Sequence, residues 1–153
     1  MLLVIFCGGQ AAAAGFRNDE FGFAFGGPGR GWRPLPAQAA RGGGLEHRFQ
    51  QGEDEDSRVN LIVWDLQRTF ELDALCDSEL RQMEARGEVS QVAGESRRVS
   101  GRPAASVRYL LEPSGSEPPL VIDATCFQTE RFLGRLAATS WRTCWSTATW
   151  WSL

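Results

Sequence analysis

Four cysteines and a single histidine are the side chains in this sequence best suited to covalent or metal chemistry. The cysteines are Cys7, Cys76, Cys126 and Cys144. No two of them form a Cys-x-x-Cys pair, so their spacing supports neither a zinc site nor a redox motif. His47 would allow a Cys-His nucleophilic pair, but it stands between Leu45 and Phe49 in an apolar pattern, which favours a packing role. We therefore expect that the chain is not an enzyme.

Two other stretches resemble ligand-binding motifs without meeting their requirements. The acidic run 52–57 could begin a calcium-binding loop at Asp54 or Asp56. Such a loop needs a glycine at its sixth position and a glutamate at its twelfth, and the sequence has neither from either start. The glycine-rich run 26–31 lacks the closing Lys-Ser/Thr of a phosphate-binding loop. We interpret the first run as a solvated turn and the second as part of a linker, and we expect no cofactor and no metal.

The length and the charge of the chain limit the classes of protein to which it can belong. Its 153 residues suffice for one domain of ordinary size. The formal net charge of −3 gives no broad basic surface, which argues against nucleic acid as a partner and against a polybasic membrane anchor. No apolar run approaches the roughly 18 residues that a transmembrane helix needs, so none is expected in this chain.

The segment from Leu45 to Leu72 is the longest whose apolar residues can build a core, and residues 58–66 predict its central strand. One face of that strand carries Val59, Leu61 and Val63, and the other carries Ile62, Trp64 and Leu66. A strand that is apolar on both faces belongs inside a sandwich or between packed layers. We therefore predict a mainly β fold, a small β-sandwich with one short inserted helix. The predicted core consists of Leu61, Val63, Trp64, Leu80 and Met83.

A change of hydrophobic period after residue 72 predicts the helix. Its apolar side carries Leu75, Cys76, Leu80 and Met83, its N-cap is Asp77 or Ser78, and its C-cap is Gly87. Further strands are predicted at residues 45–50, 89–93, 107–111 and 120–127. Residues 94–103, with Arg97, Arg98 and Arg102, are interpreted as an exposed polar loop, with binding of an anionic partner as the alternative.

Composition divides the chain into four segments. Residues 1–14 are typical of a secretory signal peptide, with an amino-terminal strand as the alternative. Residues 15–43 are rich in Gly and Pro and predict a flexible segment, in which alternating phenylalanines leave an edge strand or a partner contact as alternatives. Residues 44–133 form the predicted domain. Residues 134–153 form a Trp/Ser/Thr-rich tail, interpreted as an interface, a lipid-facing segment or an altered terminus.

Secretion would also change which cysteines remain in the chain and whether they can form a disulfide. Removal of the signal peptide takes Cys7 with it and leaves three cysteines in an oxidising compartment. We predict a disulfide between Cys76 and Cys126, with Cys144 free or lost in the tail.

A resemblance to a known family rests on several short stretches. They are Leu-Glu-His-Arg-Phe at residues 45–49, Trp64, the run 67–72, the early helix, and Cys126 followed by Glu130 and Leu133. In order and spacing they resemble subunit 10 of the endoplasmic-reticulum membrane protein complex, over residues 44–133. Members of this family share the signal peptide and the variable Gly-rich amino terminus. The chain departs from them by ending soon after Leu133 and by lacking the carboxy-terminal transmembrane helix of many members.

This resemblance implies a place and a set of partners. The chain would be a non-catalytic accessory subunit in the lumen of the endoplasmic reticulum. Its partners would be the other subunits of the complex, which inserts transmembrane segments into the membrane. Two alternatives stay open: a secreted binding module unrelated to that complex, and a cytosolic domain with an ordered amino terminus.

Overall fold

The computed structural model describes residues 3–5, 16–19, 23–26, 31–52, 57–65, 71–99 and 101–141. The elements within these ranges are strands β1 to β11 and one helix, α1. In chain order they are β1 (Leu3–Ile5), β2 (Phe16–Asn18), β3 (Phe23–Phe25), β4 (Trp32–Pro34), β5 (Gln38–Ala39), β6 (Leu45–Gln51), β7 (Arg58–Asp65), α1 (Leu72–Glu84), β8 (Gly87–Val99), β9 (Arg102–Pro113), β10 (Leu120–Gln128) and β11 (Phe132–Trp141). No helix among the described residues has both the length and the apolar composition that crossing a membrane requires.

Two sheets account for all the strands that the structure describes. The large sheet has eight strands in the order β4-β6-β7-β11-β10-β9-β8, with β5 also paired to β6, and its described pairings are antiparallel. The small sheet has the order β1-β3-β2. The predicted mainly β fold with one short helix is therefore confirmed.

Each face of the large sheet has its own hydrophobic cluster. On the face that we call the helix face, α1 packs on β8, β9 and β10. The cluster there contains Cys76, Ala105, Val107, Tyr109, Leu111, Leu120, Ile122, Ala124 and Ala137. On the opposite face, Phe23 and Phe25 of the small sheet join a cluster that also contains Trp32, Phe49, Val59, Leu61, Val63, Ala104, Phe127, Phe132 and Leu136. The ring of Phe25 packs 5.1 Å from that of Phe49, centroid to centroid, and so stacks the two sheets.

The predicted core residues lie on both faces of the large sheet. Leu61 and Val63 are fully buried in the cluster of the opposite face. Leu80 and Met83 are half-buried and pack against the cluster of the helix face. Trp64 belongs to neither cluster and is half-buried. Its indole Nε1 donates a hydrogen bond of 2.8 Å to the carbonyl oxygen of Arg41.

Trp64→Ala is therefore expected to cost only about 2 kcal/mol of unfolding free energy, from one hydrogen bond and partial burial. Urea unfolding of the variant and its parent measures the difference. Gly42 and Gly44 lie against the indole, so the backbone there has room to relax when the ring is removed. A loss above about 3 kcal/mol, the range for a large aromatic in a closed core, would contradict this position for Trp64.

The segment before residue 44 is more ordered than its composition suggests. Phe23, Phe25 and Trp32 are buried, because their rings cover the opposite face of the large sheet. β4 and β5 pair with β6 and extend the sheet at that edge. The structure thus places paired strands and buried rings in parts of the segment that was predicted to be flexible, and the expected boundary at residue 44 falls between paired strands.

The prediction of an exposed polar loop at residues 94–103 was wrong, because most of these residues belong to β8 and β9. β8 and β9 form one long hairpin with register from Gly87↔Pro113 to Val99↔Arg102, and one irregularity between Ser90 and Ala93. Arg97 pairs with Glu95, and Arg98 donates to the carbonyl oxygen of Gly101 at 2.8 Å. Backbone pairing with a buried neighbouring strand thus orders a sequence whose own side chains are mostly exposed.

The helix and its ends differ from the prediction as well. α1 begins at Leu72 after Glu71, which makes no side-chain cap, so Asp77 and Ser78 lie inside the helix. Gly87 is the first residue of β8. A Cβ at Gly87 would overlap the backbone of Glu112, so close strand pairing accounts for this glycine.

The expected boundary after Leu133 falls inside β11. This strand lies between β7 and β10, and it pairs with β7 from Phe132↔Asp65 to Thr139↔Arg58. Residues 134–141 are thus part of the sheet and not of a separate tail. The remainder of the predicted tail, residues 142–153, lies outside the described residues, as does most of the predicted signal peptide.

Candidate functional site

A cleft of about 1030 Å³ opens on the helix face beside α1. α1 covers the part of this face formed by β8, β9 and β10 and reaches β11 through Glu79, but it leaves the part formed by β7 incompletely covered. The strand pattern explains the location. Ile62 and Trp64 point to the helix face and are only half-buried, whereas Leu61 and Val63 on the opposite face are fully covered. The cleft is therefore an incompletely covered sheet face.

Three parts of the chain enclose the cleft. The floor is made by β7, β10 and β11, through Asn60, Ile62, Trp64, Ile122, Cys126, Leu133, Arg135, Ala137 and Thr139. One wall is the side of α1 that carries Leu75, Ser78, Glu79, Gln82 and Met83. The other is the segment 38–42, which the hydrogen bond from the indole of Trp64 to Arg41 holds against the sheet.

A buried ion pair lies between the floor and the helix wall. Arg135 donates from Nε to Glu79 Oε2 at 2.6 Å, and also from Nη2 to Glu79 Oε1. Tyr109 donates its hydroxyl hydrogen to Glu79 Oε1 at 2.7 Å. The side chain of Glu79 is 5% exposed and that of Arg135 is 19% exposed. This network joins α1, β9 and β11 in a fixed geometry.

The network also fixes protonation states. Burial alone would lower the pKa of Arg135, but the hydrogen bonds and charge of Glu79 outweigh it, so the net direction is upward. Burial, followed by the negative charge of Glu79, raises the pKa of Tyr109 well above its usual value. Arg135 thus stays charged and Tyr109 stays neutral at physiological pH. Neither group is poised to transfer a proton near pH 7.

The two cysteines of the predicted disulfide lie next to each other. Cys76 of α1 and Cys126 of β10 are both buried, and their thiols are hydrogen-bonded partners. The hydrogen bond with Cys76 and burial raise the pKa of Cys126, which makes its thiol a poor nucleophile in the reduced state. Both thiols are free in this structure, so the disulfide stays a prediction.

Expression through an oxidising secretory route is expected to link Cys76 to Cys126. Non-reducing peptide mapping should then recover the two cysteines in one linked pair of peptides. The bridge is expected to stabilise the fold by about 2–4 kcal/mol. Dithiothreitol should accordingly lower the melting temperature of the parent but not of a Cys76→Ser variant. Recovery of both thiols free would contradict the prediction.

His47 does not form a nucleophilic pair with either of these cysteines. It lies on β6, opposite Leu61, on the face away from α1, where its ring meets that of Phe23 edge-on at 6.3 Å. Burial lowers its pKa. The large sheet separates it from Cys76 and Cys126. No group of three or more metal-ligating side chains occurs among the described residues, and the acidic run at 53–56 lies outside them.

One polar atom on the floor of the cleft has unmet hydrogen-bonding capacity. Asn60 Oδ1 is buried, and it has no hydrogen-bond partner among the described residues. An unsatisfied buried acceptor costs about 1–3 kcal/mol, so native proteins keep few of them. Among the described residues, the site thus offers apolar and polar binding surfaces and a fixed ion pair between Glu79 and Arg135.

Sequence reasoning missed Glu79, Tyr109 and Arg135 as residues of the site. A signal for Glu79 was present, since it lies three residues after Cys76 and four before Met83, on the apolar side of the helix. A carboxylate on that side needs a buried partner. The sequence holds no corresponding signal for Arg135, because its partner is 56 residues away.

Comparisons with known proteins bear on the fold alone. No family model matches the chain, and no curated protein matches it. The solution structure of cyanobacterial PsbP (CyanoP) from Synechocystis sp. PCC 6803 is similar, with a TM-score of 0.57, 17% identity, and coverage of 91% of this chain and 87% of that one. The crystal structure of LpqN, involved in cell envelope biogenesis of Mycobacterium tuberculosis, has a TM-score of 0.52, 15% identity, and coverage of 75% and 69%. At these identities the comparisons show that the chain shares a fold with both proteins.

Proposed function

We propose that this chain is a non-catalytic binding domain and that the cleft beside α1 is its binding site. One observation carries the proposal. The sequence makes both faces of β7 apolar, but only one of them is fully covered in the fold. Half-buried Ile62 and Trp64 on a concave surface are typical of a ligand site, where an occupant completes the burial.

The chemistry of the cleft favours binding over catalysis. Glu79, Arg135 and Tyr109 are held in mutual hydrogen bonds, and the pKa values of Tyr109 and Arg135 are raised away from neutrality. The Cys126 thiol is held neutral by its raised pKa. A binding site needs rigid, satisfied polar groups of this kind, whereas a hydrolytic or transfer site needs a group that changes its protonation state.

Protein-observed NMR tests this proposal even though the ligand is unidentified. A mixed library of charged and uncharged fragments is added to the ¹⁵N-labelled full chain. We expect shifts of the Trp64 indole signal and of amides in β7, β11 and α1, with the amide of Val92 on the distant edge strand β8 as the control. Fragments that shift only residues outside the cleft, or none at all, would overturn the proposal.

A second candidate function follows from the sequence resemblance. We propose as the alternative that the chain is a lumenal accessory subunit of the endoplasmic-reticulum membrane protein complex. Trp64, Cys126 and Leu133, which contribute to that resemblance, all line the cleft. In this proposal the cleft receives an apolar part of a neighbouring subunit, and loss of the chain impairs membrane-protein insertion only partially.

Affinity purification from endoplasmic-reticulum membranes in mild detergent tests the alternative. Truncation at Leu133 would remove most of β11, so a point variant is the better probe. We expect the parent and a Val92→Arg control to recover other subunits of the complex, and Leu133→Arg to recover fewer. Failure of the parent to recover any subunit would reject this alternative. The mass of the mature chain from a secretory cell tests the associated loss of residues 1–14.

A further inference from the structure

The charged side chains that line the cleft cancel one another. They are three arginines, Arg41, Arg86 and Arg135, and three carboxylates, Glu46, Asp65 and Glu79. The described lining therefore has no formal net charge. A ligand with a net charge would find no excess of the opposite sign here.

The positions of these charged side chains also disfavour a charged ligand. Arg135 and Glu79, the buried pair, are occupied by each other, and Glu46 accepts a hydrogen bond from Gln38 at 2.6 Å. The remaining charged groups are exposed at the rim, where solvent and salt screen them. A charged group placed on the floor would lose its hydration without gaining a partner.

The surface between the charges is apolar with a few neutral polar groups. Ile62, Trp64, Ile122 and Leu133 form apolar patches on the floor. Neutral hydrogen-bonding groups are supplied by Asn60, Ser78, Gln82 and Thr139. This composition, in a volume of about 1030 Å³, is that of a site for a compact organic molecule. An extended peptide is a poorer fit, because the cleft lies on a sheet face, where backbone groups find no unpaired strand edge.

We propose that the cleft binds an uncharged small molecule with an apolar body and a few neutral hydrogen-bonding groups. This inference rests on the proposed function, since it assigns a ligand class to the same cleft. The apolar body would cover Ile62, Trp64 and Leu133. The neutral polar groups of the ligand would meet the amides and hydroxyls of the floor and the helix wall.

A matched pair of fluorescent probes tests the ligand class. N-phenyl-1-naphthylamine is uncharged and carries one N–H donor, and 8-anilino-1-naphthalenesulfonate has the same skeleton with a sulfonate added. We expect the full chain to bind the uncharged probe at least about tenfold more tightly, since an unpaired charge in the cleft costs at least that factor. Equal or tighter binding of the sulfonate would overturn the inferred ligand class.

Occluding variants locate the binding. Gln82→Trp on the helix wall and Thr139→Trp on the floor each place a large ring in the cleft, and Val92→Trp adds the same ring on distant β8. We expect about a tenfold or greater loss of affinity for the uncharged probe in the first two variants and none in the control. Unfolding curves show whether each variant folds. If Thr139→Trp does not fold, Gln82→Trp, at an exposed position of the helix, provides the test on its own. Unchanged affinity in a folded occluding variant would overturn the inference.

The outcomes separate this inference from the proposed function. If fragments shift the Trp64 signal but the uncharged probe does not bind, the cleft is a binding site of another ligand class, and only the inference fails. If neither fragments nor probes reach the cleft, both fail. Binding of the uncharged probe with loss in both occluding variants supports both.

Discussion

Glu79→Ala is expected to destabilise the folded chain by about 3–5 kcal/mol, because it leaves the guanidinium of Arg135 buried without its counter-charge. The hydroxyl of Tyr109 loses its acceptor in the same change. Chemical denaturation of the purified variant, compared with the parent, gives the difference in unfolding free energy. Glu84→Ala, at an exposed position of the same helix, is the matched control, with an expected change within about 0.5 kcal/mol.

A double variant distinguishes two causes of this destabilisation, an uncompensated buried charge and a loss of packing. Removing both charges in Glu79→Leu with Arg135→Met leaves no uncompensated ion, so the double variant is expected to regain most of the loss. If Glu79→Ala costs less than about 1 kcal/mol, the ion pair is not buried in solution. If the double variant is as unstable as the single one, the loss comes from packing and not from charge.

Phe127→Ala should cost a similar amount, about 3–5 kcal/mol, for a different reason. Phe127 is 1% exposed, and its ring meets that of Phe132 edge-on at 6.2 Å. The ring also packs against Gly134, its cross-strand neighbour, where a Cβ would overlap it. Truncation therefore opens a cavity in the hydrophobic cluster on the opposite face of the large sheet, which thermal unfolding would report as a large fall in melting temperature.

The glycine provides the control for this second prediction. Gly134→Ala alone is expected to destabilise the fold, because the ring of Phe127 has no free space in the core. Combined with Phe127→Ala, the added methyl group instead fills part of the cavity, so the two changes should cost less together than their sum. Strict additivity would show that the ring and the glycine do not contact each other.

Sequence patterns were sufficient to predict those elements in which buried residues recur with the period of a strand or of a helix. The alternation through Val59, Leu61 and Val63 predicted β7 closely, and the spacing of Cys76, Leu80 and Met83 predicted the buried side of α1. Both signals are local, since each residue's environment follows from its position along its own strand or helix.

The rest of the fold depends on partners that are distant in sequence. Arg135 is tolerated in a central strand because Glu79 neutralises it, and Gly134 is tolerated because the Phe127 ring covers it. Without those partners, a glycine and an arginine interrupt a strand pattern and suggest a tail. The exposed strand β8 is likewise held by pairing with β9 and not by its own side chains. The cleft could not be predicted, because it results from how far α1 extends across the sheet.

The place of β11 in the large sheet also determines how the chain can fold. β11 is the last strand in chain order among the described residues, yet it alone joins β4–β7 to β8–β10 through backbone hydrogen bonds. The β6–β7 and β8–β9–β10 hairpins are local and can form early. The two halves of the sheet can join only through β11, which leaves the ribosome after all the other strands. The large sheet is therefore complete only after residues 132–141 have been synthesised, and the non-local pairing of β11 with β7 is expected to set the folding rate.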